Sequence, residues 1–196
     1  MAHGSRTDRR ARGRHLRLSP AQADLVGAIG QLPETPWSGL AFRHVAAGRS
    51  PLSGEGARRI GGRWNPPESF PVLYLTPSRE VVISEFYRLA TRQHLSPLSF
   101  LPRTFYTYEI SLEVLLDLRS VEAQNAVSLA SDDLASDELE TCQAVGQAAH
   151  ACDREGIIVP GAAGNGDVLA VFIARLRPAS VVRDVAAELW EQVPSP

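Results

Sequence analysis

The sequence predicts a single α+β domain, and three observations support this class. Short apolar segments that alternate with period two are mixed with amphipathic helical segments, without the regular spacing of repeated βαβ units. The chain has 196 residues, a length for which one domain is the default. Its composition, 44% hydrophobic and 21% charged, is that of a globular protein. We predict a disordered basic tail over residues 1–17 and one domain over residues 18–196.

The first half of that domain carries clear helix-start signals. Ser19 followed by Pro20 is typical of a cap and a first-turn proline, and Ser78 precedes a second helical stripe. That stripe contains Val82, Ile83 and Phe86 at helical spacing. The predicted order is a helix to about Gln31, a strand over 39–45, a loop over 46–69, a strand over 70–76 and a helix over 79–93.

The second half mixes short strands and helices. Residues 105–110 alternate as a strand does, and Gly156 is the residue type that commonly follows a helix end. The predicted order is a loop over 94–103, strands over 105–110 and 114–118, a helix over 120–130, a solvated segment over 131–140, a helix over 137–155, strands over 157–159, 168–174 and 181–183, and a final helix over 185–192.

Composition excludes several classes of function. The net charge of −2 gives no nucleic-acid footprint, and no apolar run is long enough to span a membrane. The basic N-terminus lacks the apolar segment of a secretory signal, and two cysteines, Cys142 and Cys152, fit a reduced compartment. We therefore expect a cytoplasmic protein. All twenty basic residues are Arg, which excludes lysine-based catalysis.

Known catalytic and metal-binding motifs are missing from the sequence. The five histidines form no HxH or HxxxH pair, and the two cysteines lack CxxC spacing, so we expect no metal site. The GxSxG, GxGxxG and GxxxxGK[ST] patterns are also absent.

The most informative stretch runs from Leu52 to Arg88. It holds four glycines beside Arg58, Arg59 and Arg63, then an apolar strand and a helix that carries Glu85. Glycines let backbone approach a ligand closely, and arginine is well suited to phosphate. Arginines and one acid beside an apolar strand suggest chemistry on a nucleotide.

Two arginines, Arg63 in this stretch and Arg43 before it, have competing interpretations. Arg63 follows Gly61 and Gly62, so backbone N–H groups and its guanidinium could converge on an anion. Pairing with a nearby loop carboxylate, Glu55 or Glu68, would explain Arg63 equally well. Arg43 interrupts an apolar strand and therefore reaches a cleft or lies at an exposed edge.

Other candidates also have plain structural explanations. Tyr74 could be a core tyrosine with a satisfied hydroxyl, and Glu85 a solvated helix residue paired with Arg88. Trp64 would anchor its loop, and Asn65 would form a turn before Pro66. His44 suits a structural or surface role, and the loop over 159–167 suits a turn or a pocket wall.

The sequence resembles the RES domain family, whose members are toxins of bacterial toxin–antitoxin pairs. The matching motifs are Phe42-Arg43, Gly62-Arg63-Trp64, Val72-Leu73-Tyr74 and Ser84-Glu85, within a match over roughly residues 36–175. The run LSGEGARRIGGRWNPP and the later TCQAVGQAA and IIVPGAAG are similar to the NAD-phosphorolysing branch of that family.

The resemblance implies a RES domain of mixed small β-sheets with flanking helices, related to the ADP-ribosyltransferase toxin fold, and a reaction that degrades NAD⁺. Arg43 and Arg63 would bind the dinucleotide phosphates or the attacking phosphate, and Tyr74 would pack on the nicotinamide–ribose end. Glu85 would hold the ribose hydroxyls and stabilise an oxocarbenium-like transition state. It implies further substrate contacts from the following residues: His44, Trp64, Asn65 and Gly161.

This chain departs from the family pattern at two of these positions. Gly161 stands where the family has Ser, and His44 stands where the branch has Tyr. A serine role at position 161 is therefore lost or taken by backbone. The imidazole of His44 could still donate a hydrogen bond in place of a hydroxyl.

The resemblance favours inorganic phosphate as the acceptor of ADP-ribose, with water or a protein as alternatives. A non-catalytic nucleotide-binding or interaction module is the alternative of a different class. No cofactor or metal is implied, since NAD⁺ and phosphate are substrates. The implied partner is an antitoxin with an Xre-like helical DNA-binding fold, which would provide the only link to nucleic acid. A higher-order toxin–antitoxin assembly is possible, and no membrane contact is implied.

Overall fold

The computed structural model describes residues 19–161 and 166–195. The predicted tail over residues 1–17 lies outside the described residues, as do residues 162–165 of the Gly/Ala-rich loop. The predicted α+β class is confirmed.

The helices are α1 (Pro20–Gln31), α2 (Glu55–Ile60), α3 (Arg79–Arg92), α4 (Val121–Ala126), α5 (Ser131–Ala135) and α6 (Glu140–Ala151). The strands are β1 (Thr35–Ala46), β2 (Leu73–Leu75), β3 (Arg103–Asp117), β4 (Gly156–Pro160), β5 (Asp167–Val171) and β6 (Val181–Trp190).

Within the described ranges, the strands form one six-stranded sheet rather than several small ones. The strand order is β1-β3-β4-β5-β2, and β6 also pairs with β3. β1 and β6 are antiparallel to β3, whereas β4 is parallel to it. β1 pairs along one edge of β3. The other edge is shared by β6 and β4, which pair with successive parts of that strand. β3 therefore organises the sheet.

The core lies on both faces of this sheet because alternate strand residues point to opposite faces. Ile157 and Val159 of β4 pack with Val145 and Ala149 of α6, whereas Ile158 packs in a second cluster on the other face. A third cluster lies beneath α3 and contains Val82, Phe86, Phe105 and Trp190.

The helix α3 is fixed at its start and along one face. The Ser78 hydroxyl accepts a hydrogen bond from the Val81 N–H at 3.2 Å, which caps the helix. Val82 and Phe86 are buried against the sheet, and the Phe86 ring packs edge-on to Trp190. This packing sets which face of α3 is left for other contacts.

The predicted elements are largely present, with shifted ends. α1 and α3 begin where their capping serines predicted, and β1 is longer than the predicted strand. The predicted strands over 105–110 and 114–118 are parts of one strand, β3. The short helix α2 lies within the stretch predicted as a loop.

The predicted helix over 185–192 is wrong, because residues 181–190 form β6. Its Ala and Glu residues favour helix, but pairing with β3 over nine positions outweighs a weak local preference. Burial of Trp190 against Phe86 and Phe105 fixes the end of this strand.

The prediction that a helix extends to residue 155 and ends at Gly156 is also wrong. α6 ends at Ala151, Asp153 has a positive φ of 54°, and Gly156 begins β4. The carboxylate of Glu155 is buried and accepts from the backbone N–H groups of Glu113 and Val114. These bonds draw the chain into the sheet before Gly156.

Candidate active site

A cleft of about 460 Å³ lies between α3 and the segment that joins α2 to β2. Four side chains to which the resemblance gives roles, although separated in sequence, all line this cleft: Arg43, Arg63, Tyr74 and Glu85. They come from β1, the α2–β2 segment, β2 and α3, respectively. Their chemical roles stay predictions.

The cleft forms where the two ends of the strand order meet. The Phe42 N–H donates to the Thr76 carbonyl at 2.8 Å, and the Thr76 N–H donates to the Phe42 carbonyl at 3.1 Å. This bridge joins β1 to the end of β2, although the two strands lie at opposite ends of the sheet path. Arg43 and Tyr74 are thereby placed beside the same opening.

Arg63 is held by backbone carbonyls rather than by the acids considered from sequence. Its guanidinium donates to the carbonyls of Asp133 and Ser136 at 3.0 and 2.9 Å. Glu55 and Glu68 instead pair with Arg58, at 2.8 and 3.7 Å. Since a guanidinium has five N–H donors, the Arg63 donors not used here can bind an anion in the cleft.

The hydroxyl of Tyr74 is committed to the loop that carries Arg63. It accepts from the Trp64 N–H at 2.9 Å and donates to the Asn65 side-chain oxygen at 2.8 Å. Burial raises the pKa of Tyr74 above its ordinary value. A Cβ at Gly62 would lie 2.5 Å from this hydroxyl, so glycine permits the close approach. Tyr74 therefore offers its ring, rather than its hydroxyl, to a ligand.

The structure does not support substrate contact by the Asn65 side chain. Asn65 is fully buried, and its amide nitrogen donates to the Ala57 carbonyl at 2.8 Å. Its polar atoms are thus occupied within the loop, and it shapes the cleft wall from behind. Trp64 lines the cleft but is almost completely buried, which agrees with an anchoring role.

Arg43 and His44 leave opposite faces of β1, and both line the cleft. The Arg43 guanidinium donates to the Ser53 carbonyl at 3.3 Å, and burial lowers its pKa. The Nδ1 of His44 accepts from Arg103 at 2.6 Å. Burial, then the charges of Arg103 and Arg43, lower the pKa of His44 to about 3. His44 is therefore neutral at physiological pH, with Nε2–H left as a donor.

Glu85 lies on the cleft face of α3 and is half-exposed, with 49% of its side chain accessible. Arg88 is 3.3 Å away, one turn further along the helix. The Glu85–Arg88 pair considered from the sequence is thus present, and both residues line the cleft. A carboxylate with one weak, solvent-exposed partner can exchange it for ligand hydroxyls at low cost.

Gly161 lies at the edge of the described residues. Its N–H donates to the Gly166 carbonyl at 2.6 Å. The preceding residues Val159 and Pro160 line the cleft, together with Val168. Gly161 itself is not among the residues that line the cleft, and its predicted contact with substrate stays a prediction.

Two arginines were missed as site residues from the sequence. Arg88 and Arg92 line the cleft on the same helix face as Glu85. Their spacing from Glu85, three and seven residues, places them on one side of an α-helix. That spacing was visible in the sequence and could have identified them.

Within residues 19–161 and 166–195, no three His, Cys, Asp or Glu side chains lie together as metal ligands would. In the same part of the chain, no helix is both long and apolar enough to cross a membrane.

Residues 36–192 match the family model described as the RES domain. This chain belongs to the RES domain family. It is 39% identical over 156 residues to the protein named NAD(+) phosphorylase MbcT of Mycobacterium bovis, covering 79% of this chain and 84% of that protein. The protein of the same name from Mycobacterium tuberculosis gives the same values.

A solved structure shows the same RES domain architecture. The crystal structure of the M. tuberculosis MbcT–MbcA toxin–antitoxin complex contains a chain that superposes with a TM-score of 0.75. That chain is 35% identical, and the match covers 85% of this chain and 92% of that one. The fold and the sequence thus give the same family.

Two histidines should make this RES domain less stable in mild acid. Burial is the main cause that lowers the pKa of His44 to about 3 and that of His150 to about 4. Below pH 6.5 the unfolded chain binds protons at both residues, whereas the folded chain does not. The free energy of unfolding should therefore fall with decreasing pH, by up to about 1.4 kcal/mol per pH unit for His44 and by less for His150, because solvent screens its more exposed ring.

Urea unfolding at about pH 7 and about pH 5 would measure this slope. The double variant His44→Gln, His150→Gln should flatten it. An equal free energy of unfolding for the wild type at both pH values would contradict the burial of neutral histidines.

Proposed function

We propose that this protein is a toxin of a bacterial toxin–antitoxin pair that degrades NAD⁺ by cleaving its nicotinamide–ribose bond. The observation that carries the proposal is the 39% identity to proteins named NAD(+) phosphorylase MbcT. The convergence of Arg43, Arg63 and Glu85 at one cleft supports it. The proposed acceptor is inorganic phosphate.

The reaction needs charge stabilisation more than proton transfer. As the bond from ribose C1 to the nicotinamide nitrogen breaks, the electron pair goes to the ring and nicotinamide leaves as a neutral molecule. A phosphate oxygen then bonds to the same carbon, which gives ADP-ribose 1″-phosphate. Glu85 would bind the ribose hydroxyls and stabilise the positive charge that develops on the sugar.

The arginines would position the two anionic substrates. Arg63 is fixed by two carbonyls and has donors left over, and Arg43 is fixed by the Ser53 carbonyl. Fixed donors bind anions without first losing side-chain entropy. The ring of Tyr74 and the Nε2–H of His44 would complete the wall around the nicotinamide ribose.

Water is the second candidate acceptor, because half of the Glu85 side chain is exposed. The product would then be ADP-ribose. Transfer of ADP-ribose to a protein is a further alternative. A non-catalytic binding module would have no use for an acid placed among arginines.

Control by an antitoxin is part of the proposal. The solved structure of the MbcT–MbcA complex supports a protein partner for this chain. We expect a small antitoxin with an Xre-like helical DNA-binding fold that covers the cleft mouth in the cytoplasm. The rim over residues 54–63 suits it, since Ile60 is 80% exposed beside the exposed Arg59. Contact with DNA would be through the antitoxin, within a larger assembly.

Expression in a bacterial host tests the toxin proposal. The chain alone should stop growth and lower cellular NAD⁺, and co-expression with the neighbouring open reading frame should restore both. The Glu85→Gln variant should be harmless at the same protein level. Normal growth and normal NAD⁺ with the intact chain would reject the proposal and favour a binding module.

A further inference from the structure

The cleft-facing side of α3 changes its chemistry along the helix. Val81 and Val82 are buried near its start, Glu85 follows one turn later, and Arg88 and Arg92 occupy the last turns. At about 1.5 Å of rise per residue, Glu85 lies about 5 Å from Val82 and Arg92 about 10 Å beyond Glu85. From its start to its end, this side of α3 therefore presents apolar side chains, then an acidic one, then two cationic ones.

The same order occurs in a nicotinamide dinucleotide: a flat ring, a ribose with two hydroxyls, and a diphosphate. Resting on the proposed function, we propose that NAD⁺ lies along α3 with nicotinamide at the Val81–Val82 end. Arg88 and Arg92 form the diphosphate subsite, and the adenosine half points out of the cleft. The bond that breaks lies beside Glu85.

Exposure along the helix supports this direction. Val82 is buried, whereas the side chains of Glu85, Arg88 and Arg92 are 49%, 32% and 57% exposed, so the cleft is closed at the start of α3 and open along its later turns. A dinucleotide therefore enters with its nicotinamide end first. The apolar residues at the closed end exclude the charged diphosphate, because an unpaired buried charge is costly.

A third cation is placed at the same end. Arg92 pairs with Asp137 at 2.7 Å, and Arg63 donates to the carbonyl of the adjacent residue Ser136. The segment that joins α5 to α6 therefore brings Arg63 to the outer half of the cleft. Arg43 is held elsewhere, by the Ser53 carbonyl, which leaves it apart from this cluster.

The present partners of Arg88 and Arg92 can be displaced. Glu85 is a half-exposed carboxylate that Arg88 contacts at 3.3 Å, and Asp137 is a largely exposed one. Exposed ion pairs contribute little stability, so exchange for a phosphate oxygen is easy. When the ribose hydroxyls donate hydrogen bonds to the Glu85 carboxylate, Arg88 becomes free to bind the neighbouring phosphate.

Binding to the Glu85→Gln background tests the subsite without turnover. Calorimetry would compare NAD⁺ with nicotinamide mononucleotide, which has one phosphate and no adenosine. Adding Arg88→Gln should weaken binding of both by about tenfold, whereas adding Arg92→Gln should weaken NAD⁺ by about tenfold and leave the mononucleotide unchanged. The matched control is Arg183→Gln, which removes an exposed, carboxylate-paired arginine on β6.

Steady-state kinetics separates the subsite from the acceptor site. In the wild-type background, both substitutions should raise KM for NAD⁺ and leave KM for inorganic phosphate unchanged. Three results would overturn the assignment. They are unaltered NAD⁺ affinity in the variant that carries both Arg88→Gln and Arg92→Gln, a rise in KM for phosphate alone, and equal losses of affinity for both nucleotides with Arg92→Gln. Failure of the wild type to release nicotinamide would reject the proposed function instead, while calorimetry would still report on the subsite.

Discussion

Replacing Glu85 by glutamine is expected to lower turnover of NAD⁺ by about two to four orders of magnitude. The amide keeps the size and hydrogen-bonding reach of the carboxylate but removes its negative charge. That charge matters most when the ribose carbon becomes cationic, so the transition state loses more than the bound substrate. Nicotinamide release, followed by chromatography, would give kcat and KM for both proteins.

A matched acid is available as a control for this loss. Glu109 on β3 has a side-chain exposure of 48%, close to the 49% of Glu85, and also pairs with an arginine. Glu109→Gln should therefore turn over NAD⁺ at the wild-type rate. Near-normal kcat in Glu85→Gln would rule out the catalytic role of this residue.

Replacing Gly146 by alanine is expected to destabilise the protein by at least about 2 kcal/mol. A Cβ at this position would lie 1.9 Å from the carbonyl oxygen of Trp64 and 2.6 Å from its carbonyl carbon. The obstacle is backbone, so no side-chain rotation removes it. Helix α6 and the Arg63 loop would have to separate, and Gln143, which donates to the Gly62 carbonyl at 3.0 Å, would move with them.

The direction of this effect is the informative part, because Gly→Ala within a helix normally stabilises by up to about 1 kcal/mol. Gly27 in α1 provides that control, since a Cβ there has no heavy atom within 4 Å. Chemical unfolding should show a gain for Gly27→Ala and a loss for Gly146→Ala. Stability of Gly146→Ala equal to that of the wild type would contradict the close packing of α6 on the loop.

The sequence predicted those parts of the fold that depend on local signals. Ser19 and Ser78 predicted two helix starts, since a cap is formed within one turn of the chain. β6 was missed because its residues prefer helix, and only the ladder with β3, some eighty residues earlier, makes it a strand. Similarly, the end of α6 depends on the buried Glu155 and its contacts with β3.

The candidate site was also predictable from the sequence only in part. The family motifs identified Arg43, Arg63, Tyr74 and Glu85, and the structure places all four at one cleft. The sequence could not identify the partners of Arg63, which are carbonyls 70 and 73 residues away. The sequence also could not show that the hydroxyl of Tyr74 bonds to Asn65 and to the Trp64 backbone, which leaves only the ring for a ligand.

Product analysis of purified protein with NAD⁺ tests the central claim most directly. The protein would be incubated with NAD⁺ in the presence and absence of inorganic phosphate, and the products identified by mass spectrometry. We expect nicotinamide and ADP-ribose 1″-phosphate to form with phosphate, and neither to accumulate without it. Intact NAD⁺ under both conditions, or free ADP-ribose as the product whether or not phosphate is present, would contradict cleavage by phosphate at the Glu85 cleft.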